Sequence, residues 1–205
     1  MDEKTFEYIY YIYLMPKKRL HFINGIKIIE FSNTNVYIIE NMIDESLCNS
    51  IIESINSSQL VNVPTTNTQN VECYRVTKLN TNGLDEILHD KLIDIIKIIK
   101  ILKPMIHINK YSPYDLRKVY GKTNLHQDGV HNDSINKQGI RSITIVAGLN
   151  DDYTGGLYSF PQQQLEFKLK KGSVLFFPPF WTHTHCVSSI DKGNFRYIFS
   201  TWGLE

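Results

Sequence analysis

Apolar residues follow two rhythms along this chain. Over the first forty positions they come in short runs rich in Tyr and Ile, residue types that fit a pleated, half-buried surface. Phe6–Leu14, Ile26–Phe31 and Asn35–Ile39 read as strands. Pro16-Lys17-Lys18 ends the first, and Ser32-Asn33-Thr34-Asn35 is the turn between the other two. The period then lengthens. Leu47, Ile51, Ile52 and Ile55 share one helical face behind Asp44, which suits an N-cap. The polar stretch Asn56–Gln69 predicts a surface loop, and Val71–Leu79 alternates like a strand. Leu84, Leu88, Leu92, Ile95, Ile96, Ile99 and Leu102 recur every three to four residues, a core helix entered at Asn82-Gly83 and stopped before Pro104.

From Leu116 onward the helical period is gone. Short β-rich runs at 116–120, 140–149, 155–160, 165–169, 173–177, 184–190 and 195–202 alternate with Gly, Asn, Asp and Pro turns. Such a series argues for a sandwich or jelly roll. No repeat, low-complexity segment or strong linker interrupts the chain. The predicted fold class is therefore mainly β with packed helices (α+β), in one compact unit.

Composition narrows the function more than the fold. With 205 residues, 42% hydrophobic and 21% charged, the chain can bury a core without disulfides. A net charge of +1 gives no electrostatic case for nucleic acid or a membrane surface. The three cysteines, Cys48, Cys73 and Cys186, lack zinc-ribbon spacing and read as free thiols of a reducing compartment. The run Phe6–Met15 carries Glu7 and four tyrosines, too short and too polar for a membrane span and unlike a secretory signal. The expectation is a soluble cytoplasmic protein. Ala147 is the single alanine among many Ile, Asn and Lys, which suggests an AT-rich genome such as that of a large virus, a phage or a parasite.

Candidate chemistry lies in the second half. His126-Gln127-Asp128 stands at the end of a predicted strand, where residues two apart share a face. An imidazole and a carboxylate aimed together are two thirds of a two-His-one-carboxylate site, which holds Fe(II) and leaves positions open. A third ligand must come from another strand. His183 and His185 share a face, and either could supply it. His21, His89 and His107 lie in apolar segments and are assigned no role. Arg196, eleven residues after His185, sits on the last β-run. A guanidinium pointing into an apolar barrel needs an anion, and a carboxylate fits its fork.

These residues come in a recognisable order. Leu116-Arg117-Lys118-Val119-Tyr120-Gly121 leads into His126-Gln127-Asp128-Gly129, and Arg141-Ser142-Ile143-Thr144 runs to Leu149-Asn150 and Gly155-Gly156. Phe160-Pro161, then Gly172-Ser173-Val174-Leu175-Phe176-Phe177-Pro178, precede His185, Val187, Gly193, Arg196, Tyr197 and Trp202. The series resembles the Fe(II)/2-oxoglutarate dioxygenases, and within them the prolyl 4-hydroxylase branch with its short phage and viral members. The segment Val36–Ile55 also resembles the start of that branch. The sequence departs from the pattern in a longer gap from His185 to Arg196, in Ser188 or Ser189 where a proline is common, and in Gly148 where an aromatic often stands.

The resemblance implies a double-stranded β-helix (jelly roll) core at about 116–205, within a domain spanning 36–205 that has two supporting helices. Residues 1–35 would be an N-terminal β extension. It also implies Fe(II) on His126, Asp128 and His185, with His185 favoured over His183 because the residues after it fit the pattern. Arg196 would hold the distal carboxylate of 2-oxoglutarate, Tyr120 would lie near that co-substrate, and Trp202 would pack beside the arginine strand. Gly155-Gly156 would allow close strand approach at the site. O2 would be the oxidant, ascorbate would support activity, and succinate and CO2 would leave. The branch points to a prolyl side chain in a protein or peptide, with a small metabolite or free amino acid as the other substrate class. Asn56–Gln69 could serve as a lid. A catalytically silent β-helix that binds a peptide or sugar is the alternative from a different class. The complete triad and Arg196 argue against it, since a decayed site loses one of them.

Overall fold

The computed structural model describes residues 16–62, 68–78, 83–129 and 139–205. The predicted strand Phe6–Leu14 and the histidine at 131 lie outside the described residues. A hairpin of β1 (Lys18–Ile23) and β2 (Ile26–Phe31) continues into β3 (Val36–Ile39). Helix α1 (Glu45–Ser57) follows, capped by Asp44, whose carboxylate accepts the Leu47 amide at 2.8 Å. Strands β4 (Gln59–Asn62) and β5 (Thr68–Lys78) precede helix α2 (Leu84–Leu102), which has the predicted bounds. Then come β6 (Lys110–Tyr111), β7 (Asp115–His126), β8 (Arg141–Gly148), β9 (Tyr153–Gly155), β10 (Tyr158–Phe160), β11 (Leu165–Phe167), β12 (Val174–Phe177), β13 (His185–Val187), β14 (Ile190–Gly193) and β15 (Arg196–Leu204).

Among the described residues every strand pairing is antiparallel, and β7 joins two sheets. Its first half, from Asp115, pairs with β15, which continues through β8, β12, β3 and β2 to β1. Its second half pairs with β13, which leads to β10 and β11. Two sheets facing each other, sharing one bent strand, make the jelly roll.

Each sheet face has its own core. Val36, Ile38, Val119, Val146, Tyr158, Phe160, Leu175, Phe177, Val187 and Ile198 fill the space between the sheets. The alternate residues of the same strands, among them Ile39, Ile145, Ala147, Val174, Phe176 and Phe199, pack on the two helices. Strand alternation thus explains the nearly continuous apolar runs of β8, β12 and β15, which are covered on both faces. Helix α2 buries Leu88, Leu92, Ile95 and Ile99 against that outer face, each worth about 1.5–3 kcal/mol of burial. Gly172 ties α1 to the sheet. It has φ +73°, and a Cβ there would sit 2.2 Å from the Ile43 carbonyl oxygen.

Several expectations need correction. The described ends of Asn56–Gln69 are not loop: Asn56 and Ser57 end α1, and β4 pairs with β5 from Gln59 on. Polar composition hid a strand that pairs along its backbone. Residues 63–67, the middle of the segment expected as a lid, lie outside the described residues. Lys18–Ile23 is a strand although Pro16 precedes it. The run 116–120 extends to His126, while 155–160 and 184–190 each split around a turn. Among the described residues, no helix is long and apolar enough to cross a membrane.

Candidate metal centre

The open end of the barrel gathers His126 from the end of β7, Asp128 just beyond it and His185 from the start of β13. The HxD pair does not lie on one strand, as its spacing suggested, because β7 stops at His126. A bulge does the aiming instead. Val187 stands opposite Thr123 and His185 opposite His126, so β7 spends one more residue than β13 between the two pairs. That extra residue turns Leu125 out, where it is 58% exposed, and His126 in, beside His185.

The donors converge. His126 Nε2 lies 3.7 Å from Asp128 Oδ1, and His185 Nε2 lies 3.8 Å from Asp128 Oδ2. One donor atom from each of the three residues fits within a mutual separation of 4.8 Å. Backbone carbonyls orient both rings. His126 Nδ1–H donates to the Asn124 carbonyl at 2.7 Å, and His185 Nδ1–H to that of His183 at 3.1 Å. Each hydrogen bond leaves Nε2 as the acceptor, which is the tautomer a metal needs. His185 is buried between Phe160 and Phe177, with ring centroids at 5.4 and 4.7 Å. Burial pushes its pKa down, against the opposing pull of Asp128, and so favours the neutral imidazole that ligates.

Two residues that sequence reasoning left without a role support Asp128. Thr144 Oγ1 donates to Asp128 Oδ2 at 2.8 Å, and Arg141 Nη1 donates to the Asp128 carbonyl at 2.6 Å. The Arg141 guanidinium lies 3.8 Å from the Trp202 ring centroid, so Trp202 packs on an arginine, though on Arg141 of β8. The signal for Thr144 was available: alternation puts Thr144 on the same face as Val146, toward the metal donors.

His183 is not drawn to the centre. It is buried, with Nε2–H donating to the Thr34 carbonyl at 2.6 Å and Nδ1 meeting the Thr182 hydroxyl at 2.9 Å. Arg196 does point between the sheets, on the face of Ile198. It is 4% exposed, and its Nη1 is buried with no hydrogen-bond partner among the described residues. Its guanidinium sits 5.4 Å from the Tyr158 ring centroid. Tyr120 is placed elsewhere. Val119 points inward, so Tyr120 points out, 39% exposed and edge-on to Phe195. Strand alternation keeps it out of the chamber that holds Arg196. The Gly155-Gly156 approach is real but directed at a turn: a Cβ on Gly155 would lie 2.3 Å from the Ser189 carbonyl oxygen.

A jelly roll with two imidazoles and a carboxylate at its mouth and a buried guanidinium inside defines a class of non-haem iron proteins. Residues 109–203 match the sequence model of the 2OG-Fe(II) oxygenase superfamily. The superfamily's chemistry uses Fe(II), 2-oxoglutarate and O2, and the donor set fits. Solved structures agree on the fold. A viral collagen prolyl hydroxylase of Paramecium bursaria Chlorella virus-1, in its 2OG complex, superposes with TM-score 0.60 at 20% identity over 83% of this chain and 96% of that one. A Trichoplax adhaerens prolyl hydroxylase in complex with a hypoxia-inducible-factor peptide gives 0.62 at 16% identity over 84% of both chains. A Pseudomonas putida prolyl-4-hydroxylase gives 0.60 at 13% identity, covering 85% and 94%. Among curated proteins none is significantly similar.

Proposed function

We propose that this protein hydroxylates a prolyl residue of a protein or peptide, with His126, Asp128 and His185 holding Fe(II) and Arg196 holding the far carboxylate of 2-oxoglutarate. The observation that carries this reading is the buried, unpartnered Nη1 of Arg196 in the same barrel as three converging metal donors. An isolated guanidinium inside an apolar core is costly, and a dicarboxylate removes that cost with a forked, charge-assisted contact. The prolyl class draws support from the three neighbours, each a prolyl hydroxylase, one of them solved with a peptide.

When bound, iron and 2-oxoglutarate supply the oxidation: O2 is consumed, succinate and CO2 leave, and one oxygen enters a substrate C–H bond. The chain contributes positioning and dryness. Backbone carbonyls fix the two imidazoles, Thr144 and Arg141 fix Asp128, and Phe160 and Phe177 wall His185 from water. Tyr158, fully enclosed beside Arg196, has its pKa raised by burial and stays a neutral wall of the co-substrate chamber. Ascorbate would serve only to keep the iron reduced.

Anaerobic titration of the Fe(II)-loaded protein with 2-oxoglutarate tests this directly. The expected result is a weak visible charge-transfer band that is absent in Asp128→Ala. Oxygen with a proline-containing peptide panel should then yield succinate and a peptide heavier by one oxygen atom. Folded, iron-loaded protein that never shows the band would overturn the reading.

A further inference from the structure

Arg117 lies on the inner face of β7, two residues before Val119 and opposite Ile198 in the register with β15. Both of those neighbours belong to the core between the sheets, so the Arg117 side chain enters the chamber that Arg196 enters. Asp115, two residues earlier on the same face, accepts from Arg117 Nη2 at 2.6 Å. The pair is partly sheltered, with side chains 22% and 17% exposed, so both keep some contact with solvent. Its hydrogen bonding is incomplete, since Arg117 Nε is buried with no partner among the described residues. Burial of a donor without an acceptor is unfavourable and leaves a contact for a ligand to make.

The charges around it do not cancel. Among the described side chains, three guanidiniums, of Arg117, Arg141 and Arg196, meet two carboxylates, of Asp115 and Asp128. Arg141 feels the charges of Asp128, Asp115 and Arg117, and Tyr158 those of Arg196, Arg117 and Asp128, so these groups share one field. A divalent ion and a dicarboxylate cancel formally, which leaves the loaded mouth with one positive charge in excess. Arg196 is buried deepest, and Arg141 is engaged by the Trp202 ring and the Asp128 carbonyl. Arg117 combines an unpartnered, buried Nε with a side chain that is 22% exposed.

We propose that Arg117, braced by Asp115, selects a substrate polypeptide with an acidic side chain close to the residue that is hydroxylated. The proposal rests on the hydroxylase reading above. A carboxylate entering the mouth would accept from Arg117 and balance the excess charge, whereas a lysine there would meet three arginines.

The test is binding rather than turnover. Protein loaded with Mn(II) and 2-oxoglutarate is titrated with fluorescent proline-containing peptides that differ only in flanking Glu, Gln or Lys, read by anisotropy. The Glu peptide should bind roughly tenfold tighter than the Lys peptide, with a margin that shrinks at high ionic strength. Arg117→Gln should erase the order while keeping 2-oxoglutarate binding, which also shows that the variant is folded. Asp115→Asn, which removes a negative charge and keeps Arg117, should widen the margin, an effect that a purely structural ion pair would not produce. Glu and Lys peptides binding alike, no peptide binding at all, or an order unchanged in Arg117→Gln would each overturn the proposal. If wild type binds 2-oxoglutarate on Mn(II) but shows no charge order, this proposal alone fails. If it binds no 2-oxoglutarate, the hydroxylase reading fails first.

Discussion

Thr144 donates its hydroxyl hydrogen to Asp128 Oδ2 at 2.8 Å, across from β8 to the residue just beyond β7. This bond does what strand geometry cannot. Asp128 lies past the last paired residue of β7, where the backbone no longer dictates its direction. Arg141 fixes its carbonyl and Thr144 fixes its carboxylate.

Thr144→Val should therefore fold normally and bind metal more weakly. The side chain keeps its shape and loses only the donor. Loss of such an outer contact lowers metal affinity by about 10–100-fold in other sites. Competition for Mn(II) against a chelating dye measures it. An affinity equal to wild type would mean that Asp128 is held by Arg141 and the turn alone.

The two histidines at 183 and 185 should separate cleanly. His185→Ala removes a donor and should abolish metal binding with the fold retained. His183→Ala should keep metal binding and lose stability, because it leaves the Thr34 carbonyl without its buried hydrogen bond. That loss should be about 1–3 kcal/mol by chemical denaturation. Burial lowers the His183 pKa, so its neutral form is the one that holds the turn in place. A His183 variant that folds well and fails to bind metal would reverse the assignment.

The residues that were legible before the structure are those whose neighbours in sequence are also their neighbours in space. Helix α2 announced itself because seven apolar positions repeat on one face. The converging side chains of His126, Asp128 and His185 were legible because HxD and a later histidine carry chemistry in their side chains. Tyr120 was misplaced because a one-residue change of phase sends a side chain to the other face. Val119 sets that phase, and only the β15 register reveals it. Strand β4 was missed for another reason. Its only apolar residues are Leu60 and Val61, too few to show an alternation, yet Leu60 packs on the outer core while β5 pairs its backbone. Thr144 and Arg141 needed the fold, since sixteen and thirteen residues separate them from Asp128.

Arg196 should trade stability for function. Replacing it with Met keeps much of the volume and removes a buried charge. The co-substrate-free variant should melt at a higher temperature than wild type, since the guanidinium has an unpartnered Nη1. Its 2-oxoglutarate requirement should rise by roughly 30- to 1000-fold, the loss of about 2–4 kcal/mol from a desolvated charged contact. Arg196→Lys should fall between, keeping charge without the fork. Calorimetry with Mn(II) and 2-oxoglutarate reads both quantities. Unchanged co-substrate affinity in Arg196→Met would move the carboxylate site elsewhere in the barrel.

Cys48 gives a prediction at alkaline pH. It lies fully buried on the inner face of α1, and burial pushes its thiol up to about 11. An unfolded thiol ionises near ~8.5. Below that value both states hold the proton and stability is unaffected. Between about pH 8.5 and 11 the unfolded state loses its proton first, so unfolding becomes easier as pH rises. The full loss is roughly 2–3 kcal/mol, reached as pH passes the folded value. Tyr37 and Tyr153, whose hydroxyls burial also shifts upward, add to the same decline at higher pH. Between pH 8 and 10 wild type should therefore lose stability relative to Cys48→Ala, whatever the gap at neutral pH. A gap that stays constant over that range would show that Cys48 ionises alike in both states. Alkylation gives an independent check: at pH 8 the native Cys48 thiol should resist iodoacetamide and react only when the protein unfolds.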